Sequence, residues 1–126
     1  LKLGRGSLSD VEWLVQTLQL QHAHDTPGLR TTSTLDALDA AREAGYVTGS
    51  EEKQLRDAWL LAGRIRSAVY LCFNSATDVL PDSASELDQV ARLLGYDAGH
   101  GVELENHYLE TTRRSRKVFE RLFYGD

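Results

Sequence analysis

The residues with the most chemical potential stand in LKLGRGSLSDVEW. Lys2 and Arg5 supply positive charge, Gly4 and Gly6 let the backbone approach a ligand closely, and the carboxylates Asp10 and Glu12 follow. A helix N-terminus behind such a loop offers its amides to an anion, phosphate above all; a plain turn has the same composition. The loop has neither the GxxxxGK[ST] spacing of a P-loop nor a strand–GxGxxG–helix setting. Asp10 and Glu12 project about 200° apart on a helix and cannot share a metal ion. Glu12 has the spacing of a capping box with Ser9, whereas Asp10 either complements the helix dipole or faces a nucleotide.

A second cluster is HAHD, with His22, His24 and Asp25. It is similar to the His-Asp pair of the all-helical metal phosphohydrolases, yet that family needs another histidine well upstream, and no residue before His22 can serve. His22 and His24 also diverge by about 200° on one helix, so they do not chelate together. A role as dipole partners in a last helical turn fits them better. His100 and His107 lack third and fourth ligands. Cys72 lies in the apolar run AVYLCF, where a thiol packs as core, and no GxSxG elbow occurs. Taken alone, the chain reads as a module with no catalytic residue and no metal site of its own.

The scaffold for these residues is helical. Five segments carry apolar residues at helical spacing, and strand signals are nearly absent, so the expected fold is all-α, a bundle of about five helices. The first helix starts near Asp10 and carries Val11, Leu14, Val15, Leu18 and His22 on one face, ending at Pro27 and Gly28. Trp13 and Leu20 fall almost opposite that stripe, so this helix is either central in the bundle or meets something beyond it. STLDALDAAREAG is the second helix, with Leu35, Leu38, Ala41 and Ala44 inward and Gly45 as its left-handed stop. Thr48 and Glu51 form another capping box, opening a long third helix to about Asn74 with Leu55, Ala58, Trp59, Ala62, Ile65, Val69 and Cys72 or Phe73 as its stripe. Ser83 and Glu86 open a fourth helix that stops at Gly95. A fifth runs from Val102 to Phe123, with Leu104, Tyr108, Leu109, Val118, Phe119 and Leu122 inward.

A chain of 126 residues fits one domain with its own core. A net charge of −5 disfavours general nucleic-acid binding, and no apolar run approaches the roughly 20 residues that span a bilayer. No signal-peptide h-region is visible, and the single cysteine suits a reducing cytosol, so a cytoplasmic location is expected. Charge is unevenly spread: Asp82 to Glu110 holds seven acids and one arginine, whereas Arg113 to Arg121 holds five bases and one acid. Those bases either complement the last helix's dipole or form a patch for an acidic partner, which makes a stand-alone protein-interaction module the alternative reading.

KLGRGSLSDVEW, the following QTLQLQHAHDTP, the Thr/Ser-rich turn before LDAL and the ending RKVFERLFYGD together resemble the glutamine synthetase adenylyltransferase family. There a K-x-G-x-G-G-[ILV]-x-[DE]-[IV]-E-[FW] stretch follows each nucleotidyltransferase domain and opens a helical domain akin to that of the PII uridylyltransferases. Ser7 stands where the family often has a second glycine. The resemblance covers nearly the whole chain, most specifically its first 38 residues. It implies a C-terminal helical domain over residues 9–126, with residues 1–8 as a basic joint to an upstream nucleotidyltransferase domain. The family's G-S/G-x-x-D-x-D metal-binding signature does not occur in this sequence, so the resemblance assigns ATP and magnesium to the upstream domain. It further implies Lys2, Gly4, Arg5, Gly6 and Asp10 as nucleotide-facing residues, and glutamine synthetase and a PII-type regulator as partners.

Overall fold

The computed structural model describes residues 8–74 and 80–125, and places five α-helices and no strand among them. They are α1 (Leu8–His22), α2 (Thr34–Glu43), α3 (Gly49–Phe73), α4 (Ala84–Leu93) and α5 (Gly101–Tyr124), with a 3-10 turn at Pro27–Leu29. This is the all-α bundle expected from the periodicity.

Local chemistry sets most of the boundaries. The Thr48–Glu51 capping box forms in full: Glu51 N–H donates to Thr48 Oγ1 at 3.0 Å, and Thr48 N–H donates to Glu51 Oε1 at 2.9 Å. Ser33 and Ser83 cap α2 and α4 by accepting from the amides of Asp36 and Glu86. Gly45 and Gly95 leave their helices with φ of +84° and +97°, the left-handed conformation that their missing Cβ permits. Ser9 lies within α1 (Leu8–His22) and so does not take the cap position. The side chains up to Asp10, and with them the Ser9 half of the expected box, lie outside the described residues.

Glu51 at the start of α3 pairs with Arg121 near the end of α5, so the two long helices run antiparallel. Two apolar cores hang on this pair. One joins Val11, Leu14, Val15 and Leu18 of α1, Leu29, α2, the first half of α3 and the last turns of α5. The other joins the second half of α3, Leu80, α4 and the first half of α5 through Leu104 and Tyr108. Between them the inward faces are small or polar, with Ala62 on α3 and Thr111, Thr112 and Ser115 on α5 all buried. Thr112 returns its hydroxyl to the carbonyls of Tyr108 and Leu109, which satisfies it inside the bundle.

Two inward assignments shift. Ala44 is exposed because it is the C-cap residue of α2, and Ala37 takes the inward place instead. Leu109 is also exposed, since Tyr108 and Thr112 occupy the buried side of that turn. At the start of α5, a Cβ on Gly101 would stand 3.1 Å from Asp88 N and from Leu87 Cγ, so α5 crosses α4 at a separation suited to glycine.

Candidate functional site where α1 meets α5

The inward stripe of α1 is buried as its spacing requires, which turns the opposite flank outward. Trp13 on that flank is 51% exposed and Leu20 is 90% exposed, so α1 is not central in the bundle. The indole of Trp13 instead packs on the last turns of α5, with its ring centroid 5.3 Å from Phe119 and 5.4 Å from Phe123. Phe119 and Phe123 lie 5.1 Å apart in a tilted arrangement, and the Arg116 guanidinium sits 4.5 Å from the Phe119 centroid. Tilted and edge-on rings at these separations attract beyond their buried area, as does a cation over a ring face. The two stretches that carry the resemblance, one in α1 and one at the end of α5, therefore form one continuous seam.

Asp10 lies within α1, and its side chain lies outside the described residues, as do Lys2, Gly4, Arg5 and Gly6 entirely. Glu12, read as a capping acid, is half-buried and lines a hollow of about 680 Å³ with Gln16, Gln19, Thr32 and Trp59. Gln19 fixes one wall of it by donating to the carbonyls of Leu29 and Thr31, both at 2.8 Å.

HAHD has structural work to do. His22 stacks on Tyr46 with centroids 3.8 Å apart, and the Tyr46 hydroxyl shares a 2.7 Å hydrogen bond with Thr26. Arg30 donates to the carbonyls of Ala23 and His24, closing the end of α1. Among the described residues no group of three His, Cys, Asp or Glu side chains could hold a metal ion. His100 pairs with Glu103 at 2.6 Å, and His107 Nδ1 lies 3.0 Å from the Tyr96 hydroxyl. Partial burial and then the nearby Glu103 carboxylate push the Tyr96 phenol upward from its ordinary range.

Much of the basic cluster is engaged inside the domain. Arg114 pairs with Glu110, Arg116 covers Phe119, and Arg121 pairs with Glu51. Arg113 and Lys117 are exposed. Desolvation pushes the Glu51 carboxyl up, but the Arg121 guanidinium and the Thr48 hydrogen bonds outweigh it and hold the group below its usual range. The sequence did not disclose the Glu51–Arg121 clamp, which joins residues 70 positions apart.

The described residues form an all-α bundle of five helices in which α1 and the end of α5 share an aromatic seam. The family model described as GlnD PII-uridylyltransferase matches residues 1–123, and the chain belongs to that family. It is similar over nearly its full length to proteins named bifunctional glutamine synthetase adenylyltransferase/adenylyl-removing enzyme. Identity is 58% over 125 residues with the protein of Leifsonia xyli subsp. xyli, covering 99% of this chain and 12% of that protein. It is 52% over 124 residues with that of Streptomyces avermitilis and 48% over 122 residues with that of Mycobacterium avium, covering 98% and 97% of this chain and 12% of each relative. The expected resemblance to the adenylyltransferases is borne out, and the chain spans about an eighth of the length of these relatives. No helix among the described residues is long and apolar enough to cross a membrane.

Proposed function

We propose that this chain is the helical domain of a cytoplasmic glutamine synthetase adenylyltransferase. In this reading it supports the transfer of AMP from ATP to a glutamine synthetase tyrosine, and the reversal of that transfer, while an upstream nucleotidyltransferase domain holds ATP and magnesium. The observation that carries the reading is the 58% identity across 99% of the chain. The α1–α5 seam adds physical support, because it anchors the helix that follows KLGRGS on a rigid aromatic wall. A sequence that places Lys2, Gly4, Arg5 and Gly6 ahead of such a helix, with Asp10 just behind, is suited to meet nucleotide phosphates. The exposed flank of α1 is suited to receive glutamine synthetase or a PII-type regulator.

The test is Lys2→Ala with Arg5→Ala in a polypeptide that includes the upstream catalytic domain. A charged contact to phosphate contributes roughly 1.5–3 kcal/mol, so ATP affinity should fall by about tenfold or more. If ATP affinity and the adenylylation rate both stay at the parent values, these residues do not face the nucleotide.

A further inference from the structure

A groove of about 870 Å³ runs along the outer face of α3 and the end of α4. Its apolar lining includes Trp59, Leu60 and Leu71 from α3 and Leu93 from α4, and Leu71 and Leu93 are 75% and 56% exposed. A Cβ built on Gly63 in the middle of the groove meets nothing within 4 Å, so the α3 backbone is open to close approach. Arg64 stands where the groove adjoins a smaller hollow lined by Leu61, Tyr96 and His107, and it makes no ion pair among the described residues. Arg66 also lines the groove, Arg92 stands beside Leu93, and no carboxylate is among the lining residues.

The geometry points to a permanent docking site for an amphipathic helix with an apolar stripe and a carboxylate at its edge, supplied by another region of the same polypeptide. The inference rests on the reading of this chain as one domain of a longer adenylyltransferase. Three features select the occupant. Arg64 in the groove and Arg92 at its end are cations with no ion pair among the described residues, and they complement a carboxylate. A second copy packed face to face with the groove centred on a two-fold axis would bring Arg64 near its own image, a like-charge arrangement. Leucines this exposed at a groove suit an interface that stays covered, since permanent interfaces are the more apolar ones, and a tethered partner meets the groove at high effective concentration.

The experiment compares Leu93→Cys with Val102→Cys, each in the full-length polypeptide, by the rate of maleimide modification resolved by site with mass spectrometry. Val102 is 65% exposed outside the groove and serves as the reference. Modification at position 93 should be at least tenfold slower than at 102, and adding Arg64→Glu should bring the two rates together. Leu71→Cys repeats the comparison from α3, so the result does not depend on one variant. Equal rates at 93 and 102 overturn the proposal. So does protection that grows with protein concentration, which means a second copy, or protection that needs added glutamine synthetase, which means a separate partner. ATP affinity in the same variants is expected at parent values, which keeps this outcome distinct from that of the Lys2 and Arg5 test.

Discussion

Glu51 serves two structures at once, and its replacement separates them. Its carboxylate closes the capping box on Thr48 and also grips Arg121 at the other end of the chain. Glutamine can still reach back to the Thr48 amide, so Glu51→Gln removes mainly the ion pair; Glu51→Ala removes both. The side chain of Glu51 is only 12% exposed but that of Arg121 is 46% exposed, so solvent screening holds the pair to about 1 kcal/mol. Losing the cap adds about 1 kcal/mol, for a total near 2 kcal/mol. For a domain of this size that lowers the melting temperature by roughly 6–8 °C. The pH dependence has a defined sign. The folded carboxyl titrates below its ordinary value, so its stabilisation is complete above the unfolded carboxyl's pKa and is lost as pH falls through the folded one. Urea unfolding followed by circular dichroism should show Glu51→Gln less stable than the parent at pH 7, with the gap closing in strong acid. The reasoning fails if the two proteins share one midpoint at pH 7, or if their gap is unchanged at low pH.

Gly101→Ala should cost about 1–3 kcal/mol in urea unfolding, because the new methyl meets backbone and Leu87 of α4 at 3.1 Å. A double-mutant cycle on Trp13→Ala and Phe123→Ala should give a coupling of about 0.5–1.5 kcal/mol; a value near zero would dissolve the aromatic seam into coincidence. Dialysis against EDTA should leave the melting temperature of the domain unchanged, and a drop would return HAHD to the list of metal sites.

Where a structural signal is local, the sequence displays it. Thr48 and Glu51 are three residues apart and form the box that their types demand, and Gly45 and Gly95 end helices because glycine enters the left-handed region cheaply. Apolar spacing likewise located the buried side of α1 and most of that of α3. What stayed hidden depends on partners far along the chain. Nothing near Trp13 announces Phe119 or Phe123, and Arg121 looked like one more base in a dipole-complementing run until the fold placed it on Glu51. Thr111, Thr112 and Ser115 are polar and yet buried, and Thr112 satisfies its hydroxyl within its own helix. The expectation that Lys2, Gly4, Arg5, Gly6 and Asp10 face a nucleotide rests on the resemblance, since the first four and the Asp10 side chain lie outside the described residues.

Only α3 and α5 belong to both apolar cores, and the stretch between the cores is lined by alanine, threonine and serine. The domain is thus mechanically two knots on a pair of antiparallel struts. A push delivered at α1 is expected to reach α4 as a slide or tilt of those struts, and amide exchange should then show the two knots opening separately.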